Sequence, residues 1–538
     1  MNRDQALESI RREKDWDFLV IGGGATGLGV AVDAASRGYR VLLVEQADFG
    51  KGTSSRSTKL IHGGVRYLAQ GRVGLVREGL RERGLLLQNA PHLVKPLPFV
   101  IPIYTWKEAA ILWTGMKAYD LLAGHWRIGQ STWLSRSAVM DMLPGVRSSG
   151  LKGGVLYYDG QFDDARLAIH LAQTCVDQGG VVVNYMRAEG LRSGLSGNSY
   201  IVSLRDMETQ ELFETTARVV INATGVFVDE LMQLLMGQHN HAFTVKPSQG
   251  VHVVLPTTYI GSDRRAMLIP RTADGRVIFL VPWHGRLLAG TTDTPVDTPS
   301  LEPRPLPEEV DFILQQAGNY LSRRPQRSDV LSVFAGLRPL ALPAHGAAAT
   351  KDISRKHYLQ VHAPGFITIT GGKWTTYRKM AEDTVDLALR TTGMPFHTCV
   401  TRQLHIHGWQ PPERPGSEEI SAGWQVYGAD VHRLNILQQE HPSYTEPLIP
   451  GWPYRKAEVI WAVRQEMART VEDVLARRLR VLFLDARLAR QMAPEVAALM
   501  QVELGKSASW ARQQIEAFQH LSALYLLSDN DEERQSYH

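Results

Sequence analysis

The sequence predicts an α/β chain in three parts: a Rossmann-like domain, a second domain built on an antiparallel sheet, and a C-terminal helical domain. Three observations predict it. A glycine-rich turn joins a short apolar run to a helical run near residue 22. Strand-like runs alternate with turns between about 250 and 281, and helical spacing dominates after about 457. The 538 residues correspond to about three to four domains at roughly 150 residues each.

Composition narrows the class. Apolar residues are 44% and charged residues 21%, which excludes a disordered or collagen-like chain and allows a large core. The net charge of +4 is too slight to argue for nucleic-acid binding, and it suits an anionic substrate or an anionic membrane surface. Cys175 and Cys399 are too few for a disulfide framework or zinc cluster, so a reducing cytosol is expected. The N-terminus carries Arg11, Arg12 and Lys14 with no apolar stretch after them, unlike a secretory signal. No run of about 18 apolar residues suggests a membrane-crossing helix.

The first element is the strand Asp17-Phe18-Leu19-Val20-Ile21. Gly22-Gly23-Gly24-Ala25-Thr26-Gly27 follows, then a helical run from Leu28 to Ser36. The next strand is Tyr39–Val44, with Glu45 at its end, 23 positions after Gly22. This is G-x-G-x-x-G in the context its chemistry needs. Gly22 allows the tight turn, Gly24 lets the backbone approach a pyrophosphate, and Gly27 lets helix and strand pack closely. The helix N-terminus offers N–H groups and positive dipole to phosphates. Glu45 can accept hydrogen bonds from a ribose diol and would repel a 2′-phosphate. The motif is common to FAD and NAD sites, and its place near the chain start leans towards a flavin.

The next stretch is Thr53-Ser54-Ser55-Arg56-Ser57-Thr58-Lys59-Leu60-Ile61-His62-Gly63-Gly64-Val65-Arg66-Tyr67-Leu68. It resembles the T-S-S-x-x-S-x-K-L-I-H-G-G-x-R-Y-L signature of FAD-dependent glycerol-3-phosphate dehydrogenases. Tyr158–Arg166, Val220–Gly225, Gly290–Asp293, Gly336–Leu340 and Gly371–Arg378 are similar to further family segments in the expected order. The resemblance covers residues 16 to about 385 and continues through Val463–Leu475. Two departures stand out. Val226 replaces a turn proline, and Gln249-Gly250-Val251-His252 lacks the hydroxyl that relatives carry before the histidine.

The resemblance implies an FAD-binding domain of the glutathione-reductase/amino-acid-oxidase type. It spans 16–95, 150–240 and 330–385; a substrate domain takes 96–149 and 241–329, and a helical domain 395–538. Cofactor contacts fall on Gly22, Gly24, Gly27, Glu45, Thr53, Ser54, Ser55, Lys59, Ala223, Thr224, Gly225, Gly371, Gly372, Lys373 and Thr375. The implied substrate is glycerol 3-phosphate, a small dianion oxidised at C2 to dihydroxyacetone phosphate. Such a site needs cationic donors for phosphate and a base at the hydroxyl. Arg66, Tyr67 and Arg338 are assigned to substrate, with Lys373 at the flavin–substrate boundary. His62 and His252 compete for the proton. The preference falls on His252 as base, with His62 positioning the substrate and Arg338 stabilising a developing alkoxide.

The family implies a quinone acceptor and a peripheral place on the inner face of the cytoplasmic membrane; an oxygen-using oxidase is the alternative. The stretch from Trp106 to Arg127 mixes aromatic, apolar and basic residues, as an interfacial helix does, although a core-packed helix reads similarly. A homodimer is left open, and no nucleic acid is expected. His239, His241, His405 and His407 lack the partners for a metal set, and no metal site is expected. Pro411, Pro412, Pro415 and Gly416 mark a linker. Thr470 with Asp473 reads as a helix-capping pair, and Arg464, Arg469, Arg477, Arg478, Arg480 and Arg487 read mostly as a solvated helical face.

Overall fold

A computed structural model describes residues 1–69, 71–194, 199–236, 243–272, 275–343, 357–411 and 423–527. Two sheets organise it. The first runs in the order His357–Ala363, Phe366–Gly371, Leu212–Asn222, Asp15–Ile21, Val41–Val44 and Val181–Val183. Asp15–Ile21 pairs in parallel with both Leu212–Asn222 and Val41–Val44. Phe18, Leu19, Val20, Val41 and Leu42 are fully buried, because a central parallel strand is covered on both faces. The helix Ala25–Ser36 packs between helices Asp164–Asp177 and Tyr377–Thr392 over this sheet.

The second sheet runs Thr294–Pro295, Phe243–Pro256, Arg286–Gly290, Ile278–Trp283, Ala266–Ile269, Val94–Ile103, Gly153–Phe162 and Leu60–Ile61. Ser332–Pro343 pairs antiparallel with Phe243–Pro256 over twelve residues, Phe243↔Pro343 to Val254↔Ser332. The antiparallel reading of 251–281 therefore agrees with the structure. The expected boundaries differ from it. Gly153–Phe162 and Ser332–Pro343 were expected in the first domain and belong to the second sheet. Strand character is local, but the sheet a strand joins is set by distant partners such as Val94–Ile103.

Past residue 423 the chain is helical: Lys456–Glu466, Ala486–Glu503 and Ala508–Ala523 pack against one another and on the second sheet. Thr470 and Asp473 form the expected reciprocal cap. The Asp473 N–H donates to Thr470 Oγ1 at 3.2 Å, and the Thr470 N–H to Asp473 Oδ2 at 2.9 Å. The linker from Pro412 to Gly416, the polar end from Ser528, and His239 and His241 lie outside the described residues. His407 is held between Asp177 at 2.6 Å and Asp430 at 2.8 Å.

The arginine-rich segment overturns one expectation. Arg464 and Arg487 are solvated, but Arg477, Arg478 and Arg480 are buried. Arg477 and Arg478 both pair with Asp48, from the turn after Val41–Val44, and Arg480 pairs with Asp164 at 2.8 Å. Burial alone would raise the Asp48 carboxyl, yet the two guanidiniums hold it down to about 2. A polar run reads as surface in sequence. Here its charges are answered by Asp48 and Asp164, more than 300 residues earlier, together with the neighbouring Glu466, Glu472 and Asp473.

Candidate active site

A cavity of about 670 Å³ lies between the two sheets, within the size range of cofactor sites. One end is the first βαβ unit. Gly22 has φ +112°, and a side chain at Gly27 would meet the Gly22 carbonyl oxygen at 1.9 Å, so helix and strand touch backbone to backbone. The helix starting at Ala25 has no acidic residue in its first turn and no side-chain cap from Gly24, so no negative charge answers its N-terminal dipole. Ser54 Oγ accepts the Ala25 N–H at 2.9 Å. Glu45 accepts the N–H groups of Gly23 at 2.7 Å and Ala47 at 2.9 Å, and burial pushes its carboxyl up against the pull of those bonds.

Gly22, Gly24, Glu45, Thr53, Ser54, Ala223, Thr224, Gly225, Gly371, Gly372, Lys373 and Thr375 all line the cavity. The loop 53–55 is pinned to the far walls: Thr53 Oγ1 donates to Leu337 O at 2.6 Å, and the Trp374 indole donates to Ser54 O at 2.8 Å. A helix begins at Tyr377, and Arg378 is buried against Glu82 and Glu382. The residues fit FAD. The helix N-terminus, with no acid in its first turn, suits a pyrophosphate, Glu45 a ribose diol, and the backbone of Gly371-Gly372 with Thr375 an isoalloxazine edge.

The other end groups Arg338, His252 and Lys373. Gly250 and His252 lie two apart on one strand and so share a face. Arg338 crosses over Gly250, where an added Cβ would lie 2.4 Å from its Nη2. The Arg338 guanidinium donates to Thr292 O at 3.0 Å, Thr291 Oγ1 at 3.2 Å and Gln249 O at 3.3 Å, and pairs with Asp293 at 3.2 Å. His252 stacks on Phe334 with centroids 4.9 Å apart, and its Nε2 lies 2.9 Å from Thr58 Oγ1. Burial first, then the charges of Lys59 and Arg338, hold the imidazole's pKa well below the usual histidine value, so it stands neutral. His62 also lines the cavity, its backbone N–H donating to Thr375 Oγ1 at 3.2 Å.

Four expected contacts are placed differently. Gly27 serves packing. Ser55 is buried and does not line the cavity. Lys59 turns away at φ +62°: its ammonium is fully buried on Asp164 at 2.7 Å and on Ser55 O at 2.7 Å, and burial lowers it to about 7 despite the carboxylate. Tyr67 does not line the cavity; its ring lies 3.9 Å from the Lys373 ammonium, which does. The Arg66 side chain lies outside the described residues. Residue-type reasoning gave no role to Thr58, Asp293 or Phe334. Thr58 and Asp293 both sit inside the quoted motifs, where that signal was present.

Residues 17–378 match the family model described as FAD dependent oxidoreductase, and residues 371–511 match the C-terminal domain of alpha-glycerophosphate oxidase. The chain is 40% identical to the probable mitochondrial glycerol-3-phosphate dehydrogenase of Caenorhabditis elegans, over 96% of this chain and 74% of that protein. It is 38% identical to the mitochondrial glycerol-3-phosphate dehydrogenase of Homo sapiens, over 94% and 72% respectively. The FAD complex of glycerol-3-phosphate dehydrogenase from Bacillus halodurans superposes with a TM-score of 0.75 at 29% identity, covering 97% of both chains. L-α-glycerophosphate oxidase from Mycoplasma pneumoniae shares the fold, at TM-score 0.56 and 17% identity over 72% of this chain and 96% of that one. The chain is an FAD-dependent oxidoreductase and belongs to the FAD-dependent glycerol-3-phosphate dehydrogenase family.

Proposed function

We propose that the protein oxidises glycerol 3-phosphate to dihydroxyacetone phosphate and passes the electrons to a membrane quinone. The observation that carries this reading is the shared face of Arg338 and His252 at one end of the cofactor cavity. The Arg338 guanidinium sets a fixed positive charge at that end of the cavity, and a neutral imidazole beside it can take the hydroxyl proton. FAD, when bound, accepts the C2 hydrogen with its two electrons. Lys373 adds a second positive charge to the cavity wall, and His62 helps to orient the substrate. The dianion answers the positive field that otherwise opposes a charged imidazole, so substrate binding readies the base.

The membrane part rests on the helix Trp106–Ala123. Its inner stripe, Ala109, Met116, Tyr119 and Ala123, packs on the core. Its outer side exposes Trp106 (66%), Ile111 (65%) and Leu121 (83%), with Trp133 stacked on Trp106. Among the described residues no helix is long and apolar enough to cross a membrane, so we place the contact in the interface, on the inner face of the cytoplasmic membrane. The test is turnover with glycerol 3-phosphate, scored for reduction of a quinone analogue against release of peroxide. Quinone reduction without peroxide supports the proposal. Stoichiometric peroxide would make the protein an oxidase.

A further inference from the structure

Beyond the family's reaction, the surroundings of His252 define how the substrate proton must travel. The ring is clamped. Phe334 covers one side at 4.9 Å and 19°, and at the Cδ2 edge even a Cβ on Gly290 would stand 2.2 Å away. Its Nδ1 is sealed in protein and has no hydrogen-bond partner among the described residues. That leaves Nε2 as the nitrogen able to take a proton from the cavity, and Nε2 is occupied by the Thr58 hydroxyl at 2.9 Å. Thr58 itself is half-buried and lines the cavity. The chain fixes this placement: Lys59, the next residue, turns to φ +62° and is tied to Asp164, while the Ser57 N–H and hydroxyl both donate to the same carboxylate at 3.0 and 2.7 Å.

We infer that Thr58 is a catalytic residue: its hydroxyl relays the substrate's C2 hydroxyl proton to His252. The balance is complete. The substrate O–H bond breaks and its proton goes to Thr58 Oγ1, while the Thr58 O–H bond breaks and that proton goes to His252 Nε2. The C2–H pair leaves to the flavin, the C–O bond becomes a carbonyl, and Thr58 ends as it began. The imidazole must then start with Nε2 bare and its own proton on Nδ1. Relay through the Thr58 hydroxyl reaches Nε2 with the ring held where Phe334 and Gly290 clamp it.

The inference rests on His252 being the base, and the experiment separates the two. Anaerobic flavin reduction by glycerol 3-phosphate is followed in the holoenzyme and in Thr58→Val, Thr58→Ser and His252→Gln, in H2O and in H2O/D2O mixtures. FAD content and the Kd of a non-oxidisable phosphate ester are measured in each. The relay predicts that T58V keeps its FAD and its affinity for the ester but reduces about 10²-fold more slowly, the lower end of general acid–base effects. T58S should return to within about threefold of wild type. Wild type should show a curved proton inventory, with two protons moving in the reductive step. A linear wild-type inventory overturns the relay whatever the variants do. A T58V enzyme that reduces at the wild-type rate overturns it too, with H252Q still slow. An H252Q enzyme as fast as wild type would remove the base, and the relay with it.

Discussion

Asp293 holds the guanidinium of Arg338 at 3.2 Å while Ser248 donates to the same carboxylate oxygen, so the arginine's aim is set by a second strand pair and not by solvent. The Thr291 and Thr292 oxygens complete the grip. A guanidinium fixed in this way loses little freedom on binding a phosphate. Asp293→Asn keeps the shape and removes the charge. We expect kcat/KM to fall about tenfold, mostly through KM, the scale of one charge-assisted hydrogen bond. Steady-state kinetics check this, and an unchanged KM would show that Asp293 does not aim Arg338.

Arg338→Lys keeps a positive charge and loses the planar fork. KM for glycerol 3-phosphate should rise by about tenfold or more. A drop in kcat as well would place the guanidinium on the developing alkoxide. An unchanged kcat/KM would reject Arg338 as a substrate residue.

With His252 as the proposed base, its neutral state sets the expected pH profile. Its pKa is held below the usual histidine value near 6.5, first by burial and then by Lys59 and Arg338. A base fails when it is protonated, so the acid limb that it causes in kcat/KM should lie below about pH 6.5. The substrate's own phosphate also titrates near pH 6. That ionisation is common to wild type and His252→Gln, so the limb missing from the variant belongs to His252. A missing limb centred above pH 6.5 would contradict the geometry.

Asp48 joins the flavin domain to the C-terminal helices by answering both Arg477 and Arg478. Asp48→Ala leaves two buried guanidiniums short of a partner and should cost about 3–5 kcal/mol in denaturant unfolding. The folded carboxyl titrates near 2, below an ordinary aspartate near 3.9. Its contribution is therefore fully present above about pH 4 and is lost as pH falls towards 2. The variant should lose less stability than wild type across that window. Equal acid sensitivity would mean the charges are balanced elsewhere.

How much of this was legible depended on distance along the chain. The βαβ unit from Asp17 to Glu45 could be read because its strand, turn, helix and acid are contiguous, and their spacing states their geometry. The Thr470–Asp473 cap was legible for the same reason. The sheet that receives Gly153–Phe162 was not, since its partners lie at Val94–Ile103 and Leu60–Ile61. Nor were the burial of Arg477, Arg478 and Arg480 or the withdrawal of Lys59 into the protein. A lysine beside a cavity motif reads as a ligand until Asp164 is seen to claim it. Thr58 lay within the quoted signature, but its contact is with His252, 194 residues away on the strand Phe243–Pro256.

The exposed apolar side of Trp106–Ala123 makes a further prediction. Replacing Trp106, Ile111 and Leu121 together by glutamate should abolish co-sedimentation with anionic phospholipid vesicles and leave reduction of a soluble acceptor dye unchanged. Binding that survives the triple change would move the contact elsewhere.

The central claim is that one cavity holds FAD and a three-carbon phosphoester for oxidation at its middle carbon. Anaerobic addition of glycerol 3-phosphate to the purified yellow protein, with no nicotinamide present, tests it most directly. Bleaching of the flavin is expected, with one dihydroxyacetone phosphate formed per FAD. A protein that carries FAD and keeps its full colour at saturating glycerol 3-phosphate would contradict it.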